Sequence, residues 1–157
     1  SYAGALGQPQ IIPSSYRTSA VDFDADGRRD LWDSSADVIG SVANYLSRYG
    51  WVADEPVAFP ARITGALPAD LEVAEKGPVA PQNALDRLGA AGIQWQGQAD
   101  GKTETTLMRL DGAKDEYWVT FQNFYVITRY NHSNLYAMAV YQLSQAIRDR
   151  YGAGPGR

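Results

Sequence analysis

Carboxylates recur at regular spacing in one short segment near the start of the chain. Asp22, Asp24 and Asp26 alternate with apolar residues, and Gly27 stands at the sixth position of this segment. A calcium loop of the EF-hand type uses this arrangement, because alternating side-chain oxygens surround the hard cation while glycine makes the sharp turn. The seventh position, Arg28, would add its backbone carbonyl. The spacing therefore predicts a Ca²⁺ site.

The last ligand of this loop has two candidates. The twelfth position normally holds Glu, which reaches far enough to bind bidentately, but here it holds the shorter Asp33. Asp37, four residues later, could bend back as the bidentate ligand of a lengthened loop. The alternative to a metal site is a solvated acidic turn that caps the next helix. Carboxylates at this density repel one another without a cation, which favours calcium.

Composition narrows the class of protein that carries this loop. The chain has 157 residues, of which 45% are hydrophobic and 20% charged, as in ordinary globular proteins. The net charge of −4 provides no cationic surface for nucleic acid. No apolar run approaches the roughly 18 residues of a transmembrane segment. The ten Tyr and four Trp suit carbohydrate binding as well as a core, since each has an apolar face and a polar edge.

Periodicity and turn residues divide the chain into three segments and predict an α+β fold. Residues 1–50 contain the loop and a helix over 35–49, capped by Ser34 or Ser35. Residues 51–120 are punctuated by prolines and form a small antiparallel β lobe with one short helix, over 81–91. Residues 121–157 return to helix, from about 134 to 151 after Ser133, and the aromatic stretch 121–131 is expected to be partly extended. The predicted strands cover 72–76, 93–98, 103–110 and 116–120, with a hairpin turn at Asp100-Gly101.

Four segments in this order resemble the lytic murein transglycosylase B family. They are Ser1 to Gln10 running on to Tyr16, the acidic loop with Leu31-Trp32, Ile39 to Tyr45, and Phe124 to Asn131 followed by Tyr136 to Val140. A β lobe separates the third segment from the fourth. The likeness covers nearly the whole chain and is weakest in its middle.

The resemblance implies a lysozyme-like helical core, incomplete here, with the β lobe inserted and an EF-hand-like loop. It implies an enzyme in the periplasm or cell envelope of a Gram-negative bacterium, and it is compatible with outer-membrane anchoring through a missing N-terminus. Family members cut the bond between N-acetylmuramic acid and N-acetylglucosamine in peptidoglycan. A single glutamate acts as acid and then base, and the muramic acid 6-hydroxyl closes onto C1 to leave a 1,6-anhydro sugar.

The family's catalytic glutamate lies upstream of the Ser1 segment. None of the five glutamates in this chain matches its motif, so we expect the chain to be inactive alone and to pair with the N-terminal half of the same enzyme. The alternative is a stand-alone fragment that binds peptidoglycan without cutting it. A calcium-dependent interaction domain would need a second acidic loop, and the sequence has none.

Positions in the family motifs also suggest which residues form the groove for the glycan strand. The resemblance places Ser1 and Tyr136 beside the catalytic acid as supporting residues. From the sequence pattern alone, without the resemblance, Tyr45 and Tyr136 would be assigned to the core and Asn131 to a helix cap. The single histidine, His132, is expected to be an exposed residue near that cap. The predicted substrate-binding residues are Gln10, Tyr45, Tyr130, Asn131 and Tyr136.

Overall fold

The first of two compact units comprises residues 1–51 and frames the acidic loop with two helices. The computed structural model describes residues 3–112 and 114–152. Helix α1 is Pro13–Ser19, with proline at its start, where the missing N–H costs nothing. Helix α2 is Ser35–Arg48, and Gly50, with φ +91°, follows it in the left-handed region. The helix predicted over 35–49 is therefore confirmed, whereas α1 was not predicted.

The second unit, residues 52–157, is built on a six-stranded sheet. The strand order is β2-β5-β6-β1-β4, and β3 pairs with the first two residues of β5, Glu104 and Thr105. The strands are β1 (Ala58–Ile63), β2 (Val73–Ala74), β3 (Asn83–Ala84), β4 (Ile93–Trp95), β5 (Glu104–Leu110) and β6 (Glu116–Thr120). The mixed α+β class is confirmed with one correction. The lobe is not wholly antiparallel, because β2 and β5 pair as parallel strands.

One face of this sheet covers a hydrophobic core together with the short helix α3 (Leu85–Ala90). Leu88, Leu107 and Val119 are completely buried there, and Phe59 and Phe121 meet edge to face at 4.9 Å between ring centroids. Burial of these side chains supplies most of the stabilisation, at about 1.5–3 kcal/mol for each large apolar side chain. This core holds β1 and β6 side by side at the centre of the sheet.

Two helices complete the second unit, α4 (Gln122–Tyr130) and α5 (Asn134–Gly152). The prediction that 121–131 is partly extended is wrong. Phe124, Ile127 and Thr128 fall on one helical face and are buried, and packing against the sheet outweighs the low helix propensity of this aromatic, β-branched stretch. The predicted start of α5 is confirmed, and the Tyr136 N–H donates to Ser133 Oγ at 3.2 Å.

Three details of the β lobe also differ from the prediction. Asp100 to Thr103 do form a turn, with the Thr103 N–H donating to the Asp100 carbonyl at 2.9 Å, but β4 and β5 are not paired, so the hairpin is wrong. The short helix covers only Leu85–Ala90, because the residues before it pair with β5 as β3. Strand β1 was not predicted; it contains Pro60, a residue type that is uncommon within a sheet.

The division into segments 1–50, 51–120 and 121–157 stays a prediction. Within the described part of the chain, no helix combines the length and the apolar character that crossing a bilayer requires.

Candidate functional site

A buried carboxylate organises the acidic loop of the first unit. Asp37, in the first turn of α2, is 0% exposed. Its two oxygens accept the N–H groups of Phe23 and Asp30, each at 2.7 Å. The Phe23 hydrogen bond holds the pKa of the Asp37 carboxyl below its usual value; burial opposes this shift and the N–H groups of Asp30 and Asp24 reinforce it. The Asp37 carboxylate therefore joins the two ends of the loop.

The loop wraps its own backbone around the carboxylates. Asp22 accepts the N–H groups of Asp26 and Gly27, at 3.1 and 2.9 Å, and Asp26 accepts the N–H of Arg28 at 2.8 Å. Gly27 adopts φ +89°, which makes the sharp turn that the sequence predicted at the sixth position. The backbone conformation is therefore that of a closed loop rather than of an open acidic segment.

Three carboxylates of this loop converge on one point. One oxygen from each of Asp22, Asp24 and Asp37 lies within 4.8 Å of the other two. Asp26 and Asp33 are not members of this cluster. Each carboxylate oxygen has two lone pairs, so the oxygens that already accept an N–H can still bind a cation. The donor set is oxygen only, which fits a hard divalent cation such as Ca²⁺.

Ser34 was predicted only as a helix cap, but it also joins the loop to the helix. Its hydroxyl accepts the Asp37 N–H at 3.2 Å and donates to Asp24 Oδ2 at 2.7 Å. The second contact orients one of the clustered carboxylates. The sequence shows only a serine between Asp33 and a helix, and a serine in that position is a common N-cap residue, so its contact with Asp24 could not be predicted.

Gln10 lies at the tip of a tight turn in the first unit. The turn is closed by the Leu6 N–H, which donates to the Ile11 carbonyl at 2.8 Å, and Gln10 Nε2 donates to the Gly7 carbonyl at 2.7 Å. Gln10 is exposed and adopts φ +55°, an uncommon conformation for a residue with a Cβ. A conformation that costs free energy is often retained for function, which agrees with a binding role for this side chain.

Tyr45 lies on α2 and is only 6% exposed. Its ring contacts that of Tyr49, with centroids 4.6 Å apart and planes tilted by 40°. Most of the side chain therefore serves packing within the first unit, and its role in substrate binding stays a prediction.

The second unit brings Tyr130 and Tyr136 together across the connection between α4 and α5. Their rings are stacked, with centroids 6.5 Å apart and planes within 8° of parallel. Burial raises the pKa of Tyr130 to about 12, with a smaller contribution from Tyr136, and burial also raises the pKa of Tyr136. Both phenols are protonated at neutral pH and can donate a hydrogen bond.

The remaining residues singled out by the sequence are Asn131, His132 and Ser1. Asn131 is exposed, in extended conformation, at the end of α4. Ser133, not Asn131, caps α5. His132 is exposed, as expected. Ser1 lies outside the described residues, so its predicted supporting role is an expectation only.

Relatives of known description match nearly the whole of this chain. Membrane-bound lytic murein transglycosylase B of Escherichia coli (strain K12) is 44% identical over 149 residues, which are 94% of this chain and 39% of that protein. The catenated lytic transglycosylase SltB1 from Pseudomonas aeruginosa is 46% identical with a TM-score of 0.84, over 96% of this chain and 49% of that one.

Two further solved structures contain ligands named in their descriptions. Escherichia coli Slt35 in complex with calcium is 44% identical with a TM-score of 0.80, over 94% of this chain and 45% of that one. Pseudomonas aeruginosa SltB3 in complex with NAG-anhNAM-pentapeptide is 35% identical with a TM-score of 0.72, over 89% and 37%. This chain thus spans about half the length, or less, of the relatives that it matches.

The match to the family is continuous along the chain. Residues 1–145 match the Transglycosylase SLT domain, so the whole of the first unit and most of the second fall within the matched region. The acidic loop, the Gln10 turn and the Tyr130–Tyr136 pair all lie inside it. The chain therefore belongs to the transglycosylase SLT domain family.

Proposed function

We propose that this chain supplies the glycan-binding groove and a calcium site to a lytic transglycosylase of peptidoglycan. The observation that carries the proposal is 44% identity to a lytic murein transglycosylase over 94% of the chain. The reaction is cleavage of the β-1,4 bond between N-acetylmuramic acid and N-acetylglucosamine. The product is a 1,6-anhydromuramyl end, as in the ligand named for SltB3.

The chemistry needs one carboxyl group. It protonates the glycosidic oxygen as the bond to C1 breaks, and it then takes the proton from the muramic acid 6-hydroxyl as that oxygen bonds to C1. Ordinary glycosidases use two carboxylates and a water molecule. Here the oxygen of the substrate replaces water, so the residues of this chain have to hold the sugar in the geometry for ring closure.

The position of the glutamates supports a catalytic acid outside this chain. All five are exposed, and two are engaged elsewhere: Glu72 accepts from Gln82 Nε2 at 2.6 Å, and Glu75 pairs with Arg109 at 3.3 Å. A general acid that works near neutral pH is normally enclosed, because burial keeps its proton in place. The other three are Glu55, Glu104 and Glu116.

Gln10, Asn131 and the tyrosine pair are the groove residues with suitable chemistry and exposure. An amide both donates and accepts, which suits the N-acetyl and hydroxyl groups of the strand. Tyr130 and Tyr136 offer stacked aromatic surface and phenols that stay protonated. Tyr136 would act as a positioning residue near the reacting sugar, as would Ser1.

The calcium site is proposed on Asp22, Asp24 and Asp37, with Asp26 and the Arg28 carbonyl completing the shell. Support comes from the convergence of the first three carboxylates and from the calcium complex of Slt35. The ion would close the loop on α2 and order the first unit; no chemical step is assigned to it.

Substitution distinguishes the two candidates for the last ligand. Loss of a residue that merely supports a ligand already costs about 10- to 100-fold in metal affinity. Asp37→Asn should therefore weaken calcium binding, measured by titration calorimetry, by about 100-fold or more. Asp33→Asn is the matched control and should change it little; the reverse pattern would assign the ligand to Asp33.

An apolar stripe on α5 supports the N-terminal half of the same enzyme as a partner. Leu135, Leu143 and Ile147 recur on one side of the helix and are exposed by 66%, 61% and 49%. A contiguous apolar stripe on a soluble surface normally marks an interface. The rest of the enzyme, absent from this chain, is the proposed occupant.

We place the parent enzyme in the periplasm or cell envelope of a Gram-negative bacterium, as the membrane-bound Escherichia coli relative suggests. The alternative function is that of a stand-alone fragment that binds peptidoglycan without cleaving it. The exposed glutamates favour this alternative for the chain when it is isolated.

Incubation with purified sacculi, followed by mass spectrometry of released fragments, tests both functions. We expect the chain alone to be retained on sacculi without releasing anhydromuropeptides. Adding the N-terminal half should restore release, and Tyr136→Phe should slow it. Anhydro products from the chain alone would contradict the proposal of a missing acid, and the absence of retention would contradict both functions.

A further inference from the structure

Half of one sheet face in the second unit is left uncovered. Phe59 and Ile63 of β1 point to the core, so their neighbours Pro60 and Arg62 point to the opposite face. On that opposite face, α4 covers Met108 and Thr120, which are 1% and 4% exposed. The part beyond them, around Pro60, has no element over it among the described residues.

Strand register identifies the side chains on this open half. Pro60 stands opposite Trp118 on β6, and Arg62 stands opposite Gln94 on β4. The Gln96 N–H donates to the Pro60 carbonyl at 3.3 Å, which places Gln96 beside Pro60. We call this surface the Trp118 face; it consists of Pro60, Arg62, Gln94, Gln96, Glu116 and Trp118.

Two shallow cavities merge over the Trp118 face. One, of about 460 Å³, is lined by Trp118, Arg62 and their strand neighbours, and the other, of about 370 Å³, by Gln94 and Gln96. They share Pro60 and Arg62, so they form one surface. Within residues 3–112 and 114–152, the side chains of Arg62, Gln94 and Gln96 are exposed and have no side-chain hydrogen bond or ion pair.

We infer that the Trp118 face binds a segment of N-acetylated glycan strand, in addition to the predicted groove. An indole beside a proline ring offers a flat apolar surface for the C–H face of a pyranose. The unpartnered amides of Gln94 and Gln96 can donate to and accept from hydroxyl and N-acetyl groups. The one cation, Arg62, lies with the carboxylates of Asp115 and Glu116 around the same cavity, so the surface is not cationic and suits an uncharged sugar better than a polyanion.

This inference rests on the proposed function for the identity of the polymer. None of the residues predicted for the groove lies on the Trp118 face. A second contact would hold the strand after a cut and favour repeated cleavage of one strand, because the effective concentration of a tethered strand is high.

Titration with N-acetylchitotetraose, followed by the indole N–H signals of the ¹⁵N-labelled chain, tests the inference. The Trp118 indole N–H is buried without an acceptor among the described residues, so its environment differs from that of Trp32, which is 52% exposed. We expect the Trp118 signal to shift saturably, while the Trp32 signal, an internal control, stays unchanged. The Trp118 shift should persist in Tyr136→Ala.

Variants on the face complete the test. Because substitution removes the Trp118 signal, titration calorimetry in the Tyr136→Ala background measures binding to these variants. Trp118→Ala should weaken this binding about tenfold, equivalent to about 1.4 kcal/mol, and Trp118→Phe should retain most of it. The double change Gln94→Ala with Gln96→Ala alters only exposed amides, so it should weaken binding without affecting folding. A Trp118 signal that does not move while Tyr136-dependent binding is measured would overturn this inference and leave the proposed function intact. Binding at neither place would count against both.

Discussion

The two units of this chain are ordered by different interactions. The first unit buries polar side chains alongside apolar ones: Asp37, Ser19 and Ser41 are exposed by 2% or less, as is Leu31. The centre of the second unit is a hydrophobic cluster on a sheet, with Leu88 and Leu107 fully buried. Hydrophobic burial works without any ligand, whereas converging carboxylates repel one another until a cation neutralises them. The first unit should therefore depend on ionic conditions and the second should not.

The largest expected effect tests the hydrophobic side of this comparison. Leu107→Ala leaves a cavity in the core of the second unit and should reduce the free energy of unfolding by about 2–5 kcal/mol. Urea denaturation measures it, with and without calcium. The matched control is Leu135→Ala on α5, which is 66% exposed and should change stability by less than about 0.5 kcal/mol. Equal effects of the two substitutions would contradict the assignment of the core.

Calcium removal tests the polar side. At a free calcium concentration of 100 times Kd, binding to the folded state alone adds about 2.7 kcal/mol to stability. Chelation should therefore destabilise the first unit by this amount and leave the second unit unchanged. Hydrogen exchange resolved along the chain measures both units in one experiment. Loss of protection in β5 and β6 to the same extent as in α2 would break the comparison.

Alkaline pH should act on the second unit. Its Tyr130 has a pKa raised to about 12, against 10 in the unfolded chain, because burial disfavours the phenolate. The raised pKa means that the folded state holds its proton more tightly than the unfolded state. The stability contribution is complete below pH 10 and is lost as the pH rises towards 12. Phenolate absorbance together with circular dichroism should show this loss, and Tyr130→Phe should reduce it, with the remainder coming from Tyr136, whose pKa burial also raises.

The smallest effect is expected at the surface of the second unit. Arg87 and Asp70 form an ion pair at 2.7 Å, but their side chains are 45% and 78% exposed. Solvent screens such a pair, so Asp70→Ala should cost no more than about 1 kcal/mol. Thermal unfolding at low and high salt measures this cost. A larger loss would mean that surface charge, rather than burial, stabilises the β lobe.

Local sequence patterns were sufficient to predict much of the fold and part of the candidate site. The helix over 35–49, the start of α5 and the strands β4, β5 and β6 follow from periodicity and caps, which act between near neighbours. The turn at Gly27 follows from spacing in the same way. The aromatic stretch before Asn131 was misjudged because its helix is stabilised by the sheet beneath it, a contact that no local pattern contains.

The amino-acid order by itself determined the acidic loop, its oxygen donors and the family resemblance, because these depend on residue types at short spacing. Tertiary structure decided which carboxylates converge: it buries Asp37 in the cluster and leaves Asp33 out of it. It also decided that Tyr130 stacks on Tyr136 and that Trp118 lies opposite Pro60 on an open sheet face. Local sequence cannot determine such contacts, because they join residues that are distant along the chain. Their geometry depends on the packing of the whole unit.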